Sequence, residues 1–262
     1  MVCTAGGHRR LPLSGVLEFI RGRKQNLVNP EAIGLPPATG RGSRSLETSR
    51  DAFRAALVAG DELTAEQVVL DLFLNHYRLS QIGDAVVAAS FEEVGHLWEC
   101  GEIEVYRERR SCEICLRVLH QLRTLVPQVP ADAPRAIGGT PAGDTYAVAS
   151  TMVELVLREQ GWNATALGSS LPLPTIAAAI RENPPRLCWL SVSHLANEVE
   201  FLQELPALYQ TALENQCALI VGGRMLTEPL RRKMQFSAHF DNLQQLETFL
   251  PTFSLHNPAS RN

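Results

Sequence analysis

A chain of 262 residues with 45% hydrophobic residues is long enough for one large or two ordinary folded domains. Its net charge of −4 and pI near 6.0 exclude a general affinity for nucleic acid or anionic membrane. No apolar run reaches the length of a membrane span, no signal-peptide pattern opens the chain, and six scattered cysteines do not read as a disulfide framework. A cytoplasmic, reduced protein is expected.

The N-terminal stretch, residues 1–35, is basic: Arg9, Arg10, Arg21, Arg23 and Lys24 precede Glu31, against Glu18 alone. Gly6-Gly7 permits a tight turn, His8-Arg9-Arg10 places charge beside it, and Pro12-Leu13-Ser14 leads into a helix with Val16, Leu17, Phe19 and Ile20 as its apolar residues. This GGHRR turn and L-P-L-S helix start resemble the wing of an excisionase/MerR-type winged helix-turn-helix. The resemblance implies contact with the DNA backbone by His8, Arg9 and Arg10. Base reading in that fold needs a recognition helix, which would have to precede the wing. Specific DNA binding is therefore expected only if such helices lie upstream of Met1.

Residues 36–45 form a Pro/Gly/Ser linker. From 46 to 126 the pattern is helical almost throughout, with helices over 47–59, about 64–77, 81–99 and 105–125. Thr64 and Gln67 form a capping box for the second. Short turns between them suggest an antiparallel four-helix bundle. A Pro-rich connector, 127–134, then opens onto residues 135–255, followed by a tail, 256–262.

In that last region apolar runs at 135–138, 164–167, 187–192, 218–221 and 238–240 alternate with helical patterns at 145–160, 173–182, 198–215, 227–235 and 243–250. Strands separated by amphipathic helices predict a parallel sheet covered on both faces. Gly143-Asp144, Gly168-Ser169-Ser170, Ser191 with Ser193, and Gly222-Gly223 gather where the strands end. Ligands in open α/β sheets bind beyond the carboxyl ends of the strands, so these residues propose a site.

Three features sharpen that proposal. Trp98 is followed ten residues later by Glu108-Arg109, Asp144-Thr-Tyr146-Ala-Val-Ala149 follows the first strand, and Ser191-Val-Ser193 and Gly222-Gly223 follow in order. The set resembles cobalamin-binding domains, with a Trp…Glu-His bundle, an Asp-x-His-x-x-Gly loop, a serine segment and a Gly-Gly turn. With the wing, the whole resembles the cobalamin-dependent MerR-type transcription regulators. The resemblance implies an α-helical bundle followed by a Rossmann-like (flavodoxin-like) domain, with Trp98 covering the upper face of the corrin. It makes Trp98, Glu108, Asp144, Tyr146, Ala149, Ser191, Ser193, Gly222 and Gly223 the cofactor-binding set. In the family the loop His coordinates cobalt and the Asp fixes its tautomer.

Here Tyr146 stands at the ligand position, Ala149 at the loop Gly, and Arg109 at the bundle His. A neutral phenol is a poor cobalt donor and a guanidinium cannot ligate. Three outcomes stay open: cobalamin held with its own benzimidazole or without a protein ligand, another planar tetrapyrrole or small ligand, or a ligand-free protein-interaction module, with homo-oligomerisation possible throughout. A regulator and a corrinoid methyl carrier are the two functional classes, and an enzyme is not expected, because no acid–base or nucleophile set emerges. Cys112-Glu-Ile-Cys115 reads as bundle packing rather than zinc, His194 as a loop histidine near the pocket mouth, and Asp144 as a helix cap compatible with pocket duty.

Overall fold

The computed structural model describes residues 2–3, 9–10, 13–23, 28–36, 39–40 and 45–255, in two compact units that divide after Gln128. His8 and the Gly6-Gly7 turn, part of the 36–45 linker and the 256–262 tail lie outside the described residues.

In the first unit, strands β1 (Val2–Cys3) and β2 (Arg9–Arg10) pair antiparallel. Helix α1 (Leu13–Arg23) buries Leu17 completely, and the Arg21 guanidinium sits 3.9 Å from the centre of the Phe73 ring. Helices α2 (Leu46–Ala59), α3 (Glu62–Leu74), α4 (Leu79–Ile82), α5 (Ala89–Glu99) and α6 (Val105–Leu125) follow. Phe53, Leu57, Val68, Leu72, Phe73, Ile82, Val86, Val94, Leu119 and Leu122, at helical spacing on these elements, form the buried core. The side-chain packing brings α2 against α3, α5 and α6, and α1 against α3 and α6.

Two local expectations need correction. Helix α3 begins before Thr64: Asp61 is the N-cap, accepting from the Thr64 N–H at 3.0 Å and from its hydroxyl at 2.7 Å, so Thr64 sits at N3. The third helix is continuous from Leu79 to Glu99, but Gly83–Ala88 winds as a π segment, which re-phases the buried face midway.

The second unit is a five-stranded sheet in the order β4-β3-β5-β6-β7, all neighbours parallel, built from β3 (Arg135–Pro141), β4 (Asn163–Leu171), β5 (Leu187–Ser191), β6 (Ala218–Gly222) and β7 (Ala238–Phe240). Successive side chains of β5 point to opposite faces: Leu187 and Trp189 join Leu157, Trp162, Leu246 and Leu250 on one, Cys188 and Leu190 join Ile176, Leu205 and Leu219 on the other. The first face is covered by α7 (Ala147–Glu159) and α11 (Leu243–Leu255), the second by α8 (Leu173–Glu182) and α9 (Glu198–Glu214).

Strand order, taken within the unit, is 2-1-3-4-5, the flavodoxin-like arrangement. The parallel α/β architecture thus matches the expectation, with three differences at element ends. Gly168-Ser169-Ser170 belongs to β4 rather than to a loop, because β3 and β4 stay paired through two register shifts as far as Pro141 and Leu171. The expected 227–235 helix is only α10 (Glu228–Arg231), since the next N–H groups, of Lys233 and Met234, bond three residues back in turns. Helix α11 runs on to Leu255, and Phe253 on its last turn packs edge-on against Trp162 at 6.3 Å.

Gly138 shows how tightly β3 is held. A Cβ there would stand 2.2 Å from the Trp189 ring and 2.3 Å from the Trp189 carbonyl, and Trp189 is anchored by its indole N–H to Ser150 Oγ at 2.9 Å. Gly138→Ala is expected to destabilise the protein by about 2 kcal/mol or more, read by urea denaturation. Wild-type stability would contradict this packing.

Candidate functional site

The two sheet neighbours β3 and β5 mark the topological switch point, since the chain leaves β3 for β4 on one side and returns to β5 on the other. Three loops border this point: residues 142–146 after β3, 192–197 after β5 and 223–227 after β6.

Asp144 joins the first two. Its side chain is fully buried; Oδ1 accepts from the Tyr146 N–H at 3.0 Å, and Oδ2 accepts from the Ser193 and His194 N–H groups at 2.6 Å and 3.1 Å. Its own carbonyl accepts from the Ser170 N–H at 2.9 Å and from the Thr140 hydroxyl. Thr140 Oγ1 in turn accepts from the Ser170 N–H at 2.9 Å, and Ser170 Oγ accepts from the Gly143 N–H at 3.0 Å. Gly143, at φ +82°, is required here because a Cβ would lie 2.6 Å from the Ala196 Cβ. Asp144 therefore does not cap α7 by side chain, whose N-cap is Tyr146. Its carboxylate is held by backbone donors from two loops.

The remaining expected residues of this unit sit around that bridge. Tyr146 is half-buried and Ala149 exposed at the start of α7; Ser191 is buried at the end of β5, while Ser193 is half-buried beyond it. Gly222 closes β6, its carbonyl accepting from the Val192 N–H at 2.8 Å. Gly223 has φ +119°, and a Cβ there would reach 2.3 Å from the Val192 carbonyl, so only glycine allows this turn. The fold thus brings Asp144, Tyr146, Ser193 and Gly223 to one rim. His194 joins them through its backbone and is exposed.

Sequence reasoning placed Ser170 at this rim as a strand-end residue but missed Thr140 and Arg224. Arg224 donates from Nε to the Ser193 carbonyl at 3.2 Å, and its guanidinium carbon lies 5.7 Å from the Tyr146 ring centre. Its position immediately after the Gly-Gly turn was the available signal.

In the helical unit, Trp98 is 46% exposed on the last turn of α5, and Val105 and Tyr106, at 50% and 56%, follow at the start of α6. These three large side chains are therefore outside the core of the helical unit. Glu108 is 8% exposed. It pairs with Arg109 at 3.3 Å and accepts from the Cys112 thiol at 3.6 Å. Burial, then the Glu108 charge, pushes the Cys112 thiol up to about 12, and burial raises Cys115 as well. Thiols so placed stay protonated, as packed side chains do. Among the described residues no group of three or more His, Cys, Asp or Glu could hold a metal ion.

Residues 49–123 match the family model described as B12 binding domain. No curated protein sequence matches the chain. Among solved structures, a monomethylamine corrinoid protein from Methanosarcina barkeri has a TM-score of 0.66 at 14% identity, covering 80% of this chain and 100% of its own. A cobalamin-binding protein from Desulfitobacterium hafniense gives 0.42 at 17% identity, over 80% of this chain and 98% of its own. A methanol:cobalamin methyltransferase complex from Methanosarcina barkeri gives 0.42 at 15%, over 98% and 95% respectively. The chain thus carries a B12-binding-type helical domain and shares its mixed helical and parallel-sheet fold with a corrinoid protein. None of these findings points to a MerR-type regulator or to DNA binding.

The Asp144 bridge predicts a specific defect. Asp144→Asn puts an amide N–H₂ against at least one of the three backbone N–H donors, with a loss of about 1–3 kcal/mol of stability. Amide exchange at Ser193 and His194 should accelerate; unchanged protection at both would show that the carboxylate does not hold the loop.

Proposed function

We propose that the chain is a corrinoid-binding protein that holds its cofactor without a metal ligand from residue 146, and that it serves as a binding and regulatory module rather than as a catalyst. A match to the B12 binding domain over residues 49–123 supports the corrinoid, as does the fold shared with a corrinoid protein. The observation that carries the finer reading is the three-way backbone grip on Asp144.

The donor set decides how a corrinoid fits. A bound cobalamin would bring a cobalt centre able to take a donor from the protein, and the residue at the motif's ligand position is Tyr146, whose neutral phenol is a weak donor to cobalt. The side chain that would orient a ligand at 146 is Asp144, and its two oxygens already accept from three backbone N–H groups. Coordination from this loop therefore does not fit. The polar rim does: Gly223 lets the turn after β6 pack directly on the Val192 backbone, and Ser193 stands half-buried beside it. On the helical unit, Trp98 is an exposed indole and Glu108 a buried carboxylate.

The regulatory assignment rests on the resemblance of the N-terminal stretch to a wing, supported by the antiparallel pairing of Val2–Cys3 with Arg9–Arg10. It awaits a DNA-reading partner, since the wing alone carries no base contacts. A second reading, a methyl carrier, is favoured by the shared fold covering the whole of the monomethylamine corrinoid protein. A carrier, however, needs a lower ligand that can be engaged and released, and Tyr146 does not provide one.

The test is direct. Protein mixed with hydroxocobalamin and desalted should retain the visible corrinoid spectrum, and a colourless protein would overturn the reading. Tyr146→His should tighten binding, but only by about tenfold, because the carboxylate that would orient the new imidazole is occupied.

A further inference from the structure

Arg224 is the residue at the rim that neither the motifs nor the core accounts for. Its backbone position is fixed by the preceding turn: Gly223 fits against the Val192 carbonyl, and the Met225 N–H donates to that same carbonyl at 3.2 Å. The side chain is exposed, yet it is not adrift. Nε donates to the Ser193 carbonyl at 3.2 Å, and the guanidinium lies within cation–π range of the Tyr146 ring, at 5.7 Å. Ser193 is thus gripped from both sides, its N–H by Asp144 and its carbonyl by Arg224. Among the described residues Arg224 has no carboxylate partner. A guanidinium has five N–H donors, and the Ser193 carbonyl takes one. What results is a cationic spot at the switch point, the guanidinium lying over the phenol ring with its remaining N–H donors exposed.

We infer that Arg224 and Tyr146 form a platform for the anionic nucleotide tail of a corrinoid, Arg224 pairing with its phosphodiester and the Tyr146 ring stacking with its aromatic base. The inference rests on the corrinoid reading above and makes it narrower. A corrinoid with an intact nucleotide tail would bring a planar aromatic base and a phosphodiester, which a phenol ring and a guanidinium could each engage. Planar guanidinium groups bind phosphate by paired N–H···O bonds, and aromatic faces receive planar bases without needing a particular sequence of donors. The chain should therefore discriminate between intact cobalamin and cobinamide, which lacks nucleotide and phosphate.

Dissociation constants for hydroxocobalamin, cobinamide and cobinamide phosphate, measured by tryptophan-fluorescence quenching, separate the contributions. Wild-type protein should prefer cobalamin to cobinamide by about tenfold, with cobinamide phosphate between them. Arg224→Gln should erase the advantage of cobinamide phosphate over cobinamide and weaken the salt dependence of cobalamin binding; Arg224→Lys should keep part of both. Tyr146→Ala should lower the step from cobinamide phosphate to cobalamin, and it supplies an independent test should Arg224→Gln fail to fold. Equal affinity for all three corrinoids, or unchanged ratios in Arg224→Gln, overturns the platform while leaving corrinoid binding intact. Failure of every corrinoid to bind overturns the broader reading as well.

Discussion

A single buried carboxylate organises the rim of the sheet. Asp144 lies beyond the end of β3, where burying an unpaired charge would be strongly unfavourable, and the fold answers with three backbone N–H donors. Two of those donors belong to the loop after β5 and one to the loop of Asp144 itself. The bridge spans the switch point, the place where an open α/β sheet parts its loops to admit a ligand. Around it Thr140, Ser170 and Gly143 continue the hydrogen bonding to the extended end of β4. The loop geometry is thereby set by main-chain contacts that do not depend on the side chain at 146.

That arrangement explains how a motif can lose its imidazole without losing its loop. Where an Asp must orient a histidine, substitution of the histidine leaves a buried carboxylate with an unmet acceptor. Here both oxygens are already satisfied by amides, so Tyr146 is tolerated. The guanidinium of Arg224 lies over the Tyr146 ring, 5.7 Å from its centre. In the helical unit, Trp98, Val105 and Tyr106 are exposed about the turn between α5 and α6, and Arg109 pairs with Glu108 where the motif has a histidine.

Much of this was legible in the sequence, and the reasons are physical. The unbroken apolar run of β5, buried on both faces, and the helical spacing in α6 made strand and helix evident, because hydrophobic patterns report burial directly. The boundaries were harder where partner contacts decide them. Gly168 to Ser170 reads as loop, yet pairing with β3 keeps it in the sheet, and Asp61 outcompetes Thr64 for the cap by standing one turn earlier. At the site, Asp144, Tyr146, Ser193 and Gly223 were found by motif order. Arg224 was not, since its role comes from a turn geometry fixed by Gly223 and Val192 rather than from any spacing of like residues. The π segment at Gly83–Ala88 left no mark in the hydrophobic pattern either, because its buried residues Val86 and Val87 continue the apolar run of the helix.

The claim at the centre is that no protein side chain supplies the axial ligand of a bound corrinoid. Electron paramagnetic resonance of the Co(II) form, loaded into uniformly ¹⁵N-labelled protein with unlabelled cofactor, reads the axial nitrogen by its nuclear spin. Three-line splitting, from the cofactor's own ¹⁴N base, is the predicted result. Two-line splitting, from a protein ¹⁵N on cobalt, would contradict the account.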